Sequence, residues 1–257
     1  MNEKKDYIAV FDSGVGGISV LRHLIRQLPG ERFLYFGDSA NAPYGSRPTS
    51  EVRALTLAAV RKLLSEYPLK ALVIACNTAT AAAINDVRSA HPELIVVGIE
   101  PALKVAADHF PGGRVGVLAT EVTLREEKFD TLLHRFGENV TIYKIPAPGL
   151  VELVEAGKVD TPETEALLKK VLGPYLGQLD AVVLGCTHYP FAKKAIRRVL
   201  GQDVILLDGG EGTARETRRR LELAGLLGNG PGEVKICNSS PDPDMLRLSR
   251  ERLTQED

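Results

Sequence analysis

The chain has no tryptophan, two methionines, three cysteines and five histidines among its 257 residues, and these scarcities exclude several protein classes. Three cysteines cannot build the framework of a disulfide-stapled secreted domain, so reduced thiols and a cytoplasmic setting are expected. No apolar run approaches the ~18 residues of a membrane span. No basic amino-terminal region leads into an apolar signal stretch. Neither sign of charge is in excess: 32 Lys+Arg against 33 Asp+Glu leave a net charge of −1. That balance argues against direct binding of nucleic acid or of an anionic membrane. A Walker-type Gly-Lys-Ser/Thr, a C-x-x-C and an H-x-x-x-H are all missing, so phosphate cradles, dithiol redox motifs and helical zinc pairs have no sequence support.

What is present is ordinary in bulk and unusual in detail. Hydrophobic content of 44% and charged content of 25% suit a soluble globular protein with core enough for one large or two medium domains. The detail is a motif written twice. Val73-Ile74-Ala75-Cys76-Asn77-Thr78 and Val183-Leu184-Gly185-Cys186-Thr187-His188 are apolar runs that end in a small residue, a cysteine and polar residues, 110 positions apart. Each run has the length and β-branched content of a buried parallel strand. Each cysteine should therefore stand where a strand gives way to a helix, the edge at which open α/β sheets bind ligands.

The rest of the chain alternates strand and helix. Tyr7–Phe11 reads as a first strand, ending at Asp12-Ser13-Gly14-Val15-Gly16-Gly17. The third glycine of a G-x-G-x-x-G fingerprint would fall at Ser19, so a dinucleotide loop is not supported. The loop can still bring backbone N–H groups to a ligand carboxylate at a helix N-terminus. From the loop alone, capping of the following helix is the favoured role of Asp12. A second strand at Arg32–Gly37 leads through Asp38 to Pro43-Tyr44-Gly45, a turn that can also wall a small pocket. A helix over about Thr49–Glu66 precedes the first cysteine strand.

After Leu94–Gly98 and Glu100-Pro101, the Pro111-Gly112-Gly113 break marks a restart. A strand at Arg114–Thr120, a helix near Glu121–Phe136 and a strand at Val140–Ile145 follow. Asp12 and Thr120, both at strand ends, are 108 positions apart, close to the spacing of the cysteines, and suggest two similar α/β halves. Glu233–Cys237 reads as a final, antiparallel edge strand. The expected class is α/β, with a central, mostly parallel sheet flanked by helices in each half.

Two matched cysteines admit several chemistries. A lone cysteine at a strand end is often only a small buried hydrophobe. Zinc would have Cys186 and His188, with only the distant Cys76 as a third ligand, so no metal is expected. A catalytic disulfide lacks any C-x-x-C. Proton transfer on a carbon acid fits best: a thiolate removes a proton from one face of a stereogenic carbon while a thiol supplies one to the other face. An unassisted thiol near pKa ~8.5 is mostly protonated at neutral pH, so each cysteine needs help. Helix N-termini after Cys76 and Cys186 would stabilise the thiolates. Asp12 could serve Cys76, and His188 could serve Cys186, as proton partners.

Taken together, Phe11–Gly17, Gly37-Asp38, Pro43-Tyr44-Gly45, Ala75-Cys76-Asn77-Thr78-Ala79, Leu184–Pro190 and Glu211–Glu216 resemble the bacterial glutamate racemases across almost the whole chain. The resemblance implies a cofactor-independent racemase of two α/β domains with its site in the cleft between them, supplying D-glutamate for peptidoglycan. It implies glutamate as the small-molecule substrate, no pyridoxal phosphate and a homodimer. Cys76 and Cys186 match the family's acid/base positions, assigned to D- and L-glutamate respectively, and Asp12 and His188 its assisting positions. Ser13, Pro43, Tyr44, Gly45, Asn77, Thr78 and Thr187 match substrate contacts. The family's assisting glutamate maps to Glu155. This chain departs from the pattern at Glu152, where proline is more usual, at Ala102, which replaces a glycine, and at Ser39–Ala42, which lacks an arginine. The domain expectation is residues 1–97 with 208–257, and 98–207. The rival expectations are a related racemase for aspartate or another acidic substrate, and a non-catalytic binding or regulatory protein on the same scaffold.

Overall fold

The computed structural model describes residues 6–136 and 140–255. The chain opens with β1 (Tyr7–Asp12), α1 (Ile18–Gln27), β2 (Arg32–Gly37), α2 (Thr49–Glu66), β3 (Leu69–Ile74), α3 (Asn77–Ala90) and β4 (Ile95–Gly98). It continues with α4 (Leu103–His109), β5 (Arg114–Ala119), α5 (Glu121–Arg125), α6 (Glu127–Phe136), β6 (Thr141–Pro146) and α7 (Leu150–Glu155). Next come α8 (Pro162–Leu172), β7 (Ala181–Leu184), α9 (Lys193–Leu200) and β8 (Ile205–Asp208). The last elements are α10 (Gly210–Leu223), β9 (Glu233–Asn238) and α11 (Pro243–Thr254). No helix among the described residues is long and apolar enough to cross a membrane.

The strands form two sheets, ordered β4-β3-β1-β2-β9 and β6-β5-β7-β8. Reading the second in reverse, β8-β7-β5-β6 repeats the order of β4-β3-β1-β2, so the two sheets share one topology and β9 is an addition to the first. Every pairing is parallel. Each sheet is covered on both faces, which is why its strands are apolar runs rather than alternating ones. Along β1, Ile8 and Val10 pack beneath α1 and α10, while Ala9 and Phe11 pack beneath α2 and α3. In the second sheet Leu118, Val182 and Leu184 face α8 and α9, and Val115, Val117 and Val183 face α4 and α6. Val154 of α7 and Phe191 join the core of the first sheet, so the halves share apolar contacts as well as chain.

Local signals account for most element boundaries. Ile18, Leu21 and Leu24 recur at helical spacing and are buried on α1. Thr161 caps α8 by accepting from the Thr164 N–H, with Pro162 in the first turn, where its missing donor is harmless. Two expectations are corrected. The helix expected over Glu121–Phe136 is broken at Glu126, whose extended backbone separates α5 from α6. Strand β9 runs parallel to β2, not antiparallel, because α10 packs along α1 and the loop after it returns the chain to the strand's starting edge.

That return is fastened by a buried ion pair. Lys70 and Glu31 pair with side chains 7% and 2% exposed. Lys70 Nζ donates to the Leu226 carbonyl at 2.9 Å, and Glu31 Oε1 accepts from the Gly228 N–H at 2.6 Å. Removing one member leaves a buried charge uncompensated. Glu31→Ala should cost about 3–5 kcal/mol of stability, read as a lowered urea midpoint. A midpoint equal to that of the parent protein would refute the pair's role.

Candidate active site

Both cysteines lie just beyond β3 and β7, the strands next to β1 and β5, where each sheet's chain order reverses direction. This is the crevice in which open parallel sheets hold ligands. Cys76 occupies the N-cap position of α3 and is 5% exposed. Its sulfur accepts from the Ala79 N–H at 3.4 Å and donates to Ser13 Oγ at 3.5 Å. Burial, first, and the charge of Asp12, second, push this thiol up to about 12, against the smaller help of Ser13 and the Ala79 N–H; Cys186 lies near enough to add to the push. At rest Cys76 is a thiol, and the helix N-terminus alone does not make it a thiolate.

Cys186 is equally buried and has a different setting. Its sulfur lies 3.7 Å from His188 Nδ1, and His188 Nε2 lies 2.5 Å from Glu155 Oε1. The α-helix expected directly after Cys186 does not start there: a 3-10 turn at Tyr189–Ala192 intervenes and α9 begins at Lys193. Assistance comes from the imidazole instead. Burial works to lower the His188 pKa, but the hydrogen bonds and charges of Cys186 and Glu155 outweigh it and hold the imidazole well above its usual range. Burial likewise works to raise Glu155, and His188 with the Val15 N–H brings it below the ordinary carboxylate range. Cys186, His188 and Glu155 thus form a relay in which an imidazolium can stand beside the sulfur.

The glycine loop after β1 joins the two sheets. Asp12 does not cap α1, whose N-cap is Gly17 with no side-chain bond. Its Oδ1 instead accepts from the Gly14 N–H at 2.9 Å, and its Oδ2 accepts from the Thr187 hydroxyl at 2.9 Å. Burial raises the Asp12 pKa despite His188 and these two donors. The Val15 N–H donates to Glu155 Oε1 at 2.8 Å, so one loop donor already serves a carboxylate of the protein. A Cβ at Gly14 would stand 1.9 Å from Glu155 Oε1, and one at Gly16 2.4 Å from His188 Nδ1. The loop is rich in glycine because Glu155 and the turn at Thr187-His188 lie flush against it.

The remaining expected residues gather around the same place. Tyr44 is buried, its hydroxyl donates to Asp38 Oδ2 at 2.7 Å, and its ring packs on Phe11. It therefore offers a wall rather than a free hydroxyl. Pro43 and Gly45 border a cavity of about 190 Å³ together with Thr120, Ala147, Gly149 and Glu152. A Cβ at Gly45 would meet Thr120 at 2.6 Å. Asn77 is buried, and neither its Nδ2 nor its Oδ1 has a hydrogen-bond partner among the described residues. On α7, Glu152 is exposed while Glu155, one turn later, reaches inward. Neither the cavity of about 190 Å³ nor the one of about 1080 Å³ between β4, α4 and α10 is lined by a cysteine.

Thr78 and Thr120 meet a third hydroxyl that the sequence did not single out, that of Thr123. Thr78 Oγ1 lies 3.1 Å from Thr120 Oγ1 and 3.2 Å from Thr123 Oγ1, a buried cluster that ties α3 to α5. The near-equal offset of Asp12 and Thr120 was the available signal. Among the described residues no group of three or more His, Cys, Asp or Glu side chains is arranged to hold a metal. Cys76, Cys186 and Cys237 are all free thiols.

The chain as a whole has counterparts among known proteins. The Asp/Glu/Hydantoin racemase family model matches residues 8–217. A glutamate racemase of Clostridium botulinum is 46% identical over 253 residues, covering 97% of this chain and 98% of that one. The crystal structure of a glutamate racemase isoform from Bacillus anthracis superposes with a TM-score of 0.88 at 32% identity, covering 98% of this chain and 95% of that one. The Escherichia coli glutamate racemase in complex with L-glutamate and the activator UDP-MurNAc-ala superposes with a TM-score of 0.82 at 31% identity, covering 97% of this chain and 93% of that one.

The His188–Glu155 pair predicts a pH window for stability. Glu155, depressed on folding, contributes above its unfolded value and loses that contribution as pH falls through its folded value. His188, raised on folding, contributes below its unfolded value and loses that contribution as pH rises through its folded value. Both contributions are complete between the ordinary values of 4.5 and 6.5. The stability difference between the parent protein and Glu155→Gln should peak there and shrink on both sides, and the His188 imidazole of the variant should titrate at lower pH by NMR. A difference that does not vary with pH would refute the pairing.

Proposed function

The chain is an isomerase of the Asp/Glu/Hydantoin racemase family, and on that footing we propose that it interconverts L- and D-glutamate by two-cysteine proton transfer without a cofactor. The observation that carries the proposal is the pair of buried cysteines at equivalent crevices of two sheets with one topology, each with its own proton partners. L-glutamate lies with its α-carbon between the sulfurs. The Cys186 thiolate, beside the His188 imidazolium, takes the α-proton, and the Cys76 thiol gives a proton to the opposite face. The raised proton affinity of Cys76 suits this direction.

The reverse direction requires the Cys76 proton to leave. The substrate's α-ammonium group brings a positive charge that the free site lacks, which favours a thiolate at Cys76. Asp12, whose pKa burial raises, stands close enough to influence Cys76 and can receive a proton. A carbanion beside an ammonium group is stabilised best in a site that excludes water and holds fixed dipoles. The unpaired Asn77 amide, the Thr78–Thr120–Thr123 hydroxyls and the loop N–H groups supply dipoles of that kind for the substrate carboxylates.

Residues 1–97 with 208–257 form one domain in this reading and 98–207 the other, with the site between them. The membership of β9 in the first sheet and the packing of α10 on α1 support that division. D-glutamate would supply peptidoglycan synthesis in the cytoplasm, and the enzyme would act as a homodimer. A muramyl-linked activator on the Escherichia coli neighbour supports the link to the cell wall.

Protein freed of metal and cofactor by chelation and dialysis should racemise both glutamate enantiomers and turn over aspartate far more slowly; a preference for aspartate would replace the substrate assignment. Cys76→Ser and Cys186→Ser should each lose at least ~10²-fold in racemisation. On N-hydroxyglutamate, from which elimination needs one base, Cys76→Ser should keep the L-analogue and Cys186→Ser the D-analogue. Equal handling of both enantiomers by both variants would end the two-thiol mechanism.

A further inference from the structure

Ser19 stands where a dinucleotide fingerprint would have its third glycine, in the first turn of α1, and nothing in the chemistry above uses it. Serine in a helix commonly bonds a carbonyl of its own helix. Here the side chain is buried, and Oγ donates instead to the Thr187 carbonyl at 3.0 Å, a residue 168 positions away beside the other sheet. Thr187 lies between Cys186 and His188. Its hydroxyl is already held by Asp12 Oδ2 at 2.9 Å. The residue is thus gripped twice from the first sheet, at its side chain by the end of β1 and at its carbonyl by α1.

We propose that Ser19 is a positioning residue for the Cys186 half of the reaction, fixing the turn that aims Cys186 and His188. The inference rests on the two-cysteine reading. It follows from an asymmetry: Cys76 is held by Ala79 and Ser13, both of its own sheet's crevice, and neither contact depends on the grip on Thr187. The Ser19 N–H is satisfied by the Gly16 carbonyl at 3.0 Å, so α1 presents the hydroxyl from a backbone that is itself fixed. Loosening the Thr187 carbonyl should therefore misplace one base and leave the other in register.

Racemisation cannot reveal a one-sided effect. The two enantiomers have equal free energy, so kcat/KM must be the same in both directions for any variant. Elimination from N-hydroxyglutamate removes that constraint. The α-proton passes to the thiolate, the C–H electrons form a C=N bond, the N–O bond breaks and hydroxide leaves. Hydrolysis of the imine then gives 2-oxoglutarate and ammonia.

Ser19→Ala suits the helix, and its fold is checked by circular dichroism. Its kcat/KM for the L-analogue should fall about fivefold, the effect of one hydrogen bond, while the D-analogue stays within about twofold of the parent. Equal losses on both analogues, or no loss on either, would overturn the role of Ser19 and leave the two-cysteine reading standing. If the parent protein neither racemises glutamate nor eliminates from either analogue, that reading falls first and this inference with it.

Discussion

Glu155 Oε1 receives two donors at once, the Val15 N–H of the glycine loop and His188 Nε2 of the turn after Cys186. One oxygen therefore joins the backbone of the first sheet to a side chain of the second. The geometry leaves no room for side chains on the loop at Gly14 or Gly16. Low polarity strengthens the interaction and also makes it costly to break, because any of the three groups left unpaired would be a buried polar orphan. The protonation of His188, the alignment of Cys186 and the approach of the sheets all depend on this contact.

In the proposed reaction the shared topology lets two halves reach one substrate, and the differences between them let that substrate be treated asymmetrically. Each half places a cysteine after the strand beside its first strand. The first half surrounds Cys76 with a helix N–H, a serine hydroxyl and a nearby carboxylate that disfavours the thiolate. The second surrounds Cys186 with an imidazole backed by a carboxylate. A repeated fold thus carries two unlike proton partners, which suits an acid and a base that exchange roles. The crossing bonds are also unequal: Asp12 and Ser19 reach from the first half to hold Thr187 in the second, while Glu155 reaches back to the loop.

Much of this was legible before any coordinates. The cysteine strands and the helix over Thr49–Glu66 follow from apolar runs and turn residues that act within a few positions. What failed to show was decided by distant parts of the chain. Asp12 looked like a helix cap because the residue it bonds, Thr187, is 175 positions away. The direction of β9 depends on where α10 packs, which an isolated six-residue strand does not encode. Glu155 sits on a helix of only 6 residues with no local motif, so family resemblance alone drew attention to it. Thr120 showed only as a strand end and Thr123 not at all, and their hydroxyls meet because Thr78 arrives on α3 from beside the other sheet.

Burial imposes a further condition on the chemistry. A site dry enough to stabilise a carbanion also opposes every charge needed to form one, and Cys76 carries that conflict most plainly, with burial the largest influence on its thiol. Beside Cys186, by contrast, Glu155 raises the proton affinity of His188 despite burial, so an imidazolium can stand there. Cys76 has no cation in that role among its described partners, only a carboxylate whose own proton affinity is raised. The missing positive charge on that side is one that an amino-acid substrate brings as its α-ammonium group. In the proposed reaction an amino-acid substrate would complete the electrostatics around Cys76, while His188 and Glu155 stand ready beside Cys186. A ligand without the ammonium group would leave Cys76 protonated, so the site would favour amino acids over the corresponding hydroxy acids through reactivity as well as through contacts.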